Sequence, residues 1–456
     1  MNKFNKYYFL GIGGIGMSAL ARYFNTKGFV VGGYDRTITK LTSDLETEGI
    51  TICYDESVNF IPADFVDPKS TLIVLTPAIP QDHPQLLYFR ENNYKILKRA
   101  QVLGDITRQS KGICIAGTHG KTTTSTITAH LLYQSQVTCS AFLGGISNNY
   151  NTNLLLSKDS NLVVIEADEY DRSFHQLTPY MAVITSVDAD HLDIYDTPEA
   201  FRESFAHFAS LISPGGALIM KKGIDLQPEL QKGVKLYRYS MDNGGDFYAD
   251  KIKIAKGEIR FDFVTPTERI ADVRLGVPVK INIENSVAAM ALAWLNGVTA
   301  EELRVGISSF SGIYRRFNVV YKSEKVIYMD DYAHHPSELN ASITSIRELY
   351  PGRKITGIFQ PHLYSRTRDF AKEFAEVLSS LDELILLDIY PARELPIEGV
   401  SAENILSDVK LKNKTLVSKE NLLPLLKEKE IDVLVTFGAG DIDRLVPLIK
   451  NQLKNG

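Results

Sequence analysis

A glycine-rich turn is the stretch of this chain whose residue types point most directly to chemistry. Residues 117–124 read GTHGKTTT, follow the apolar run 113–116 and precede the helix-like run 125–134. Glycines let backbone N–H groups face phosphate oxygens, and the N-terminus of the next helix adds partial positive charge. Lys121 can reach the terminal phosphates of a nucleoside triphosphate, and Thr122 can offer its hydroxyl to Mg²⁺. The residues that we assign to a triphosphate are Gly117, Thr118, His119, Gly120, Lys121, Thr122 and Thr123.

A second glycine turn, near the N-terminus, has the spacing of a dinucleotide-binding fingerprint. Residues 11–16 read GIGGIG after the apolar run 7–10, and Asp35 ends the second predicted strand. Taken alone, this pattern favours NAD or FAD. A nucleotide-sugar diphosphate fits the same turn and helix end equally well, and a turn with only packing duties is the third interpretation. The residues that we assign to this ligand are Gly11, Gly13, Gly14, Gly16 and Asp35.

Two acidic segments follow strand-like runs in the middle of the chain. Residues 166–171 read EADEYD, and residues 188–193 read DADHLD. Ligands of open α/β sheets bind beyond the carboxyl ends of the strands, and Mg²⁺ takes one or two carboxylates plus substrate phosphates. We therefore expect Glu166 and Thr122 at a magnesium site. His191 lies among three acids and can bind a second metal or position a phosphate oxygen; solvated acidic loops are the alternative.

Polar clusters also follow four consecutive predicted strands in the last third of the chain. These clusters are residues 330–336, 360–368, 390–394 and 438–441. An isolated surface loop needs no such recurrence, so we expect the clusters to line one ligand cleft. Arg315 and Arg316 precede the first of these strands, where a guanidinium can bind a transferring phosphate or a substrate diphosphate. Solvated charge is the alternative for either arginine.

The composition is that of a soluble globular protein with several domains. The chain has 456 residues, of which 44% are hydrophobic and 23% charged, and its formal net charge is −5. This charge gives no general attraction for nucleic acid. The cysteines Cys53, Cys114 and Cys139 form no metal or disulfide spacing, which indicates a reducing compartment. Without a signal peptide or an apolar run of about 18 residues, we expect a cytoplasmic protein with no membrane span.

Strand and helix signals alternate along the first hundred residues and again in the last third, which predicts parallel sheets. Short alternating runs between about residues 215 and 280 predict an antiparallel β meander attached to the parallel core. We predict an α/β fold with a Rossmann-like N-terminal parallel sheet, a central P-loop-type ATPase domain that carries the meander, and a C-terminal Rossmann-like domain. The predicted domain bounds are 1–107, 108–314 and 315–456.

Together, and in this order over nearly the whole chain, these motifs resemble the Mur ligase family of peptidoglycan synthesis. Residues 117–124 are similar to the family's ATP turn, and residues 166–169 and 190–191 resemble its magnesium-binding segments. The resemblance implies that the three domains hold a UDP-sugar, ATP with Mg²⁺, and an amino acid, in that order. Asn282 and Asn285 match the family's adenine contact. The residues that match the amino-acid end of the cleft are Tyr332, His334, His362 and Arg366.

Within the family, four segments are similar to those of the members that join L-alanine to the carboxylate of UDP-N-acetylmuramate. These segments are residues 11–16, 314–317, 359–362 and 390–397. The resemblance implies an ATP-dependent ligase with an acyl-phosphate intermediate, in which His362 or His334 orients the amine or takes its proton. It also implies small-molecule partners and a monomer or weak homodimer. The alternatives are a related ligase that adds a tripeptide, a non-catalytic ATP-driven switch, and an NAD-dependent oxidoreductase.

Overall fold

The computed structural model describes residues 4–188, 192–255, 257–392 and 394–455, with the backbone alone at Leu192 and Asp193. The contacts of the chain define two compact units. The first comprises the residues up to Lys251, Phe261–Arg274 and Ile283–Ser311. The second comprises Ile252–Arg260, Leu275–Asn282 and the residues from Gly312 onward. The described residues form three sheets with helices between the strands, so the predicted α/β class is confirmed.

The first sheet is parallel and has the strand order β3-β2-β1-β4-β5. Its strands are β1 (Lys6–Leu10), β2 (Val30–Tyr34), β3 (Thr51–Cys53), β4 (Thr71–Leu75) and β5 (Lys95–Lys98). Its helices are α1 (Ile15–Thr26), α2 (Lys40–Thr47), α3 (Pro84–Glu91) and α4 (Arg99–Arg108). The chain runs outward from β1 on one side and then from β4 on the other. The turn after β1 therefore lies at the switch point of the sheet, where ligands bind in such folds.

The second sheet has the order β15-β14-β13-β12-β11-β10-β6-β9-β7-β8. Its strands are β6 (Lys111–Ala116), β7 (Ser140–Ser147), β8 (Thr152–Leu155), β9 (Leu162–Glu166), β10 (Pro179–Ile184), β11 (Ala217–Lys221), β12 (Lys235–Ser240), β13 (Phe247–Ala255), β14 (Glu258–Val264) and β15 (Arg269–Arg274). The helices along this part of the chain are α5 (Lys121–Tyr133), α6 (Leu192–Tyr195), α7 (Pro198–Ser210), α8 (Ile281–Leu295) and α9 (Ala300–Ser309). β6 pairs in parallel with both β9 and β10, so the carboxyl ends of these three strands lie side by side at one edge of the sheet.

The β meander begins later along the chain than the sequence predicted. β11 and β12 pair in parallel with each other, and β11 also pairs in parallel with β10. Residues 222–234 join β11 to β12, and a parallel crossover needs about a dozen residues. A short turn joins β14 to β15, and in it the N–H of Thr265 donates to the carbonyl of Glu268. The alternating pattern alone did not show which strands were joined by a crossover.

The third sheet has the order β16-β17-β21-β18-β19-β20 and is parallel except for the edge strand β16. Its strands are β16 (Asn318–Lys322), β17 (Ile327–Asp331), β18 (Ile355–Phe359), β19 (Glu383–Leu386), β20 (Lys414–Leu416) and β21 (Val433–Phe437). Its helices are α10 (Pro336–Leu349), α11 (Tyr364–Leu378), α12 (Ala402–Asp408), α13 (Lys419–Lys427) and α14 (Val446–Asn455). Within the described ranges, no helix has the length and apolarity needed to cross a membrane.

Candidate functional site

The turn after β6 contains two glycines with backbone conformations that other residues rarely adopt. Gly117 has φ of 137° and Gly120 has φ of 80°. A Cβ atom at Gly117 would lie 2.0 Å from Oγ1 of Thr185, and one at Gly120 would lie 2.7 Å from Oδ1 of Asn285. Both positions therefore require glycine. Because α5 begins at Lys121, its first backbone N–H groups lie beside the turn and are available to an anion.

The segment after β10 positions this turn. Thr118 Oγ1 donates to the carbonyl of Asp188 at 2.7 Å, and the N–H of His119 donates to Oγ of Ser186 at 2.9 Å. The N–H of Thr118 also donates to the carbonyl of Ser186. The imidazole of His119 lies 3.6 Å from the Asp188 carboxylate. The side chain of Thr118 and the backbone N–H of His119 thus fix the turn, while Thr122 and Thr123 are half-buried at the start of α5.

Lys121 forms an ion pair with an acid that the sequence did not single out. Its Nζ lies 2.8 Å from Oε1 of Glu169, which is 2% exposed, and donates to the carbonyl of Gly117 at 2.6 Å. Burial raises the pKa of Glu169 and the ammonium of Lys121 opposes that rise. The lysine assigned to a triphosphate is therefore held over the turn by a buried carboxylate.

Glu166 is the last residue of β9 and lies beside Ile115 of β6 in the parallel register. Its carboxylate packs onto Gly144 of β7, where a Cβ atom would lie 1.9 Å from Oε2. Glu166 and Thr122 are thus at and just beyond the ends of neighbouring strands, and both offer the oxygen ligands that Mg²⁺ prefers. Among the described residues, no group of three or more His, Cys, Asp or Glu lies together in a way that could bind a metal. His191 lies outside the described residues.

The turn after β1 is closed by Asp35. Gly11 has φ of 85°, and a Cβ atom there would lie 2.5 Å from Cγ2 of Thr76. The N–H of Gly13 donates to Oδ2 of Asp35 at 2.8 Å. Asp35, which the spacing assigned to the ligand of this turn, therefore also holds the turn itself. Gly14 precedes α1 and has extended backbone, so the first turn of that helix follows directly.

Arg99 lies against this turn, although its place in the sequence gave no indication of it. A Cβ atom at Gly16 would lie 2.3 Å from Nη1 of Arg99, so the guanidinium lies over the first turn of α1. Its Nη2 lies 2.9 Å from Oδ2 of Asp168. Asp168 neighbours Glu169, so one acidic segment contacts a cation at each of the two glycine turns. No local spacing could reveal this, because Arg99 begins α4, far from the turn in sequence.

The two asparagines assigned to adenine differ in their surroundings. Asn285 lies in the first unit, where its Oδ1 is 3.3 Å from Oγ1 of Thr124 and packs against Gly120. Asn282 belongs to the second unit and donates to the carbonyl of Val277. The structure thus brings Asn285 directly to the glycine turn.

In the second unit, the polar clusters after β17 and β18 meet. The parallel register places Asp331, Phe437 and Phe359 at one edge of the sheet, so the loops that follow them emerge together. The ring centroids of His334 and His362 are 6.0 Å apart. Tyr332 also packs edge-on to His334, at 5.2 Å between centroids. The four residues assigned to the amino acid are therefore joined in one cluster, with Arg366 bonded to His362 as described next.

The hydrogen bonds of the two histidines differ. Nδ1 of His334 lies 3.0 Å from the carbonyl of Tyr332 and 3.2 Å from Oε2 of Glu338. Nδ1 of His362 lies 3.2 Å from Nη1 of Arg366. Burial lowers the pKa of both imidazoles, and burial together with the Arg366 and His334 charges lowers the pKa of His362 to about 4. Neutral imidazoles at pH 7 can accept or donate a proton.

The neighbouring arginines have different surroundings. Arg315 is 9% exposed and donates to the carbonyls of Gly438 and Gly440. Its Nε lies 3.6 Å from Oδ2 of Asp330, whose pKa burial raises to about 6. Arg316 is exposed, and its guanidinium carbon lies 5.2 Å from the ring centroid of Tyr332. Arg316 therefore has its guanidinium at the surface, whereas Arg315 is anchored within its own unit.

Comparison with known proteins accounts for nearly the whole chain. Three sequence models match in order: Mur ligase family, catalytic domain, over residues 6–111; Mur ligase middle domain, over 115–293; and Mur ligase, glutamate ligase domain, over 315–440. The UDP-N-acetylmuramate–L-alanine ligase of Parabacteroides distasonis is 59% identical over 99% of this chain and 98% of its own. That of Flavobacterium johnsoniae is 47% identical over 99% of each chain.

Solved structures give the same relationship. The crystal structure of UDP-N-acetylmuramate–alanine ligase from Thermotoga maritima has a TM-score of 0.83 and 25% identity, covering 99% of each chain. A murein peptide ligase from Psychrobacter arcticus has a TM-score of 0.68 and 21% identity over 99% of each chain, which shows a shared fold. With relatives this similar along its full length, the chain belongs to the Mur ligase family.

Proposed function

We propose that this chain is an ATP-dependent ligase that joins L-alanine to the carboxylate of UDP-N-acetylmuramate, giving ADP and phosphate. The observation that carries the proposal is the identity of 57–59% to four relatives named UDP-N-acetylmuramate–L-alanine ligase. Each of these matches covers 98–99% of this chain. The presence of two glycine turns in the first unit supports it, because the reaction needs both a nucleotide sugar and a triphosphate.

The three predicted segments divide the work. Residues 1–107 hold the UDP-sugar at the turn after β1, residues 108–314 hold ATP at the turn after β6, and residues 315–456 hold L-alanine. The diphosphate oxygens would accept hydrogen bonds from the backbone N–H groups at the start of α1. Arg99 adds a guanidinium beside that helix end, which suits a doubly charged ligand. The substrates are small molecules, and we propose that the protein acts as a monomer or weak homodimer.

The residues of the turn after β6 suit the phosphates of ATP. Gly117 and Gly120 have positive φ, which lets backbone N–H groups face phosphate oxygens. Lys121 adds a cation at the same turn. Asn285, which packs on the same turn, would contact adenine, as would Asn282 by the resemblance. Thr122 and Glu166 would hold Mg²⁺, with His191 as a third ligand. When bound, the metal ion neutralises charge on the phosphate oxygens.

The chemistry must turn a carboxylate into an electrophile. Transfer of the γ-phosphoryl group to the lactyl carboxylate of the sugar gives an acyl phosphate, which the amine of L-alanine attacks to give the amide and phosphate. Lys121 and Arg316 would spread the charge on the transferring group. Arg315 would position the loop that carries Arg316. His334, His362 and Arg366 would receive L-alanine, with one imidazole orienting the amine or taking its proton.

Phosphate release with purified protein, ATP and UDP-N-acetylmuramate tests the assignment. We expect release that depends on L-alanine and that exceeds the release obtained with the tripeptide. Equal or greater release with the tripeptide would overturn the choice of amino-acid substrate. ATP binding that no amino acid converts into phosphate release would instead indicate a switch. Oxidation of a nicotinamide cofactor in place of phosphate release would instead indicate an NAD-dependent oxidoreductase.

A further inference from the structure

Two histidines of the second unit have opposite hydrogen-bond polarity at Nδ1. A carbonyl oxygen only accepts hydrogen bonds, so the contact of 3.0 Å from His334 Nδ1 to the carbonyl of Tyr332 requires a proton on that nitrogen. Oε2 of Glu338 lies 3.2 Å from the same nitrogen, and a carboxylate oxygen there also requires a proton on Nδ1. In the neutral ring, Nε2 of His334 then carries the lone pair.

His362 shows the reverse arrangement. A guanidinium only donates, so the contact of 3.2 Å from Arg366 Nη1 places a lone pair on Nδ1 of His362. The neutral ring then carries its proton on Nε2. The backbone supports this pairing, since His362 lies two residues before α11 and Arg366 lies in the first turn of that helix. His362 thus presents an N–H donor, whereas His334 presents an acceptor.

We propose that His334 is the group that takes the proton from the ammonium of the incoming amino acid, and that His362 acts only as a donor. This inference rests on the proposed function, because it assigns a step of that reaction. The proton moves from the ammonium nitrogen to Nε2 of His334. The freed lone pair then forms the C–N bond, the C–O bond to phosphate breaks, and the second amine proton leaves with the phosphate.

The charges around the two rings favour this division. Glu338 of α10 faces Nδ1 of His334 and stabilises the imidazolium once the proton has arrived. Arg366 of α11 and Arg316 oppose an early charge on His334, so the ring is neutral when the amine binds. The neighbouring cation Arg366 also opposes protonation of His362. The Glu338 carboxylate therefore contacts Nδ1 of His334, whereas the Arg366 guanidinium contacts Nδ1 of His362.

The test uses a nucleophile that needs no base. Hydroxylamine is largely unprotonated at neutral pH and converts an acyl phosphate into a hydroxamate. The variant His334→Asn keeps an N–H near the Nδ1 position but lacks the acceptor at Nε2. The variant His362→Gln keeps an N–H near the Nε2 position. His207→Gln, on the exposed face of α7, is the matched control.

Both reactions of His334→Asn are compared with those of the wild-type protein. The rate of L-alanine-dependent phosphate release should fall by a factor at least about 100 times larger than the fall in hydroxamate formation, because general-base catalysis contributes about 10²–10⁴-fold. Its remaining rate should rise with pH as free L-alanine deprotonates. In His362→Gln, both reactions should fall by the same factor. Equal losses of both reactions in His334→Asn, or a selective loss in His362→Gln, would overturn the assignment. A wild-type protein that forms no hydroxamate would instead count against the acyl-phosphate step of the proposed function.

Nitrogen chemical shifts of the imidazoles give a readout independent of activity. In full-length protein labelled with ¹⁵N-histidine at pH 7, with resonances assigned from the two variants, His334 should be protonated at Nδ1 and His362 at Nε2. The reverse pattern, or the same tautomer in both rings, would overturn the proposal even if turnover followed expectation.

Discussion

Lys121 and Glu169 form an ion pair of 2.8 Å on the glycine turn after β6. Glu169 is almost fully buried, and its carboxylate holds the ammonium against the carbonyls of Gly117 and Thr118. A phosphate bound at this turn must therefore share Lys121 with Glu169 or replace it. The strength of the proposed ATP site would then depend on a carboxylate that itself contacts no proposed substrate.

Replacement of Lys121 by alanine separates the two ligand sites. We expect Lys121→Ala to lower phosphate release by at least about 100-fold, because the cation that faces the transferring phosphate is lost. Binding of the UDP-sugar, measured by calorimetry, should survive, because its proposed site is the turn after β1. Lys40→Ala, in an exposed pair with Asp44, is the control. Loss of both functions in Lys121→Ala would contradict separate sites.

Removal of the competing carboxylate should strengthen ATP binding. Glu169→Gln removes a charge-assisted hydrogen bond to Lys121, which is worth about 1.5–3 kcal/mol, so ATP affinity should rise by at least about tenfold. Titration of an ATP analogue measures this change. Asp171→Asn, which removes the exposed partner of Lys98, should leave the affinity as it is. Weaker ATP binding in Glu169→Gln would show that the carboxylate supports the ligand.

Gly13 and Gly14 offer a matched pair in the turn after β1. A Cβ atom at Gly13 would lie 2.7 Å from Cγ2 of Thr42 and 2.8 Å from Oδ2 of Asp35, whereas the atom nearest to one at Gly14 would be 3.5 Å away. We expect Gly13→Ala to lower the free energy of unfolding by about 1–3 kcal/mol. Gly14→Ala should keep its melting temperature but bind the UDP-sugar more weakly. Full binding in Gly14→Ala would place the ligand elsewhere.

Arg315 and Arg316 should differ in what their loss affects. Removal of one partner of a buried ion pair costs roughly 3–5 kcal/mol, so Arg315→Met should markedly destabilise the second unit in chemical denaturation. Arg316→Met should leave the denaturation midpoint in place and lower phosphate release. A stable Arg315→Met protein with lost turnover would instead assign Arg315 directly to the reaction.

The pH dependence of stability should report Asp330. Burial raises its pKa from an unfolded value of 3.8 to about 6. The folded chain therefore retains a proton that the unfolded chain releases, and the free energy of unfolding falls as pH rises from 4 to 6. The fall is about 3 kcal/mol for a shift of about two units. Asp330→Asn should lack this fall in the free energy of unfolding. Identical dependence of stability on pH in the wild-type and Asp330→Asn proteins would contradict the prediction.

The sequence by itself determined the local parts of this protein. The glycines at 117 and 120 and the lysine between turn and helix predicted a phosphate-binding turn, because the backbone conformation of a short turn depends on its own residues. The acids after β9 and the histidines after β17 and β18 were predicted at one edge of each sheet, because parallel strands end on the same side. The α/β class followed from the same alternation.

Only the tertiary structure decided which groups these residues meet. Asp35 accepts from Gly13, Arg99 lies over α1, and β11 runs parallel to β12, none of which the local pattern predicted. Arg315 and Arg316 are adjacent and identical in type, yet only Arg315 is buried. The physical reason is that burial and hydrogen bonding of a charged group are set by segments remote in sequence, and these interactions fix its pKa and its freedom to bind a ligand.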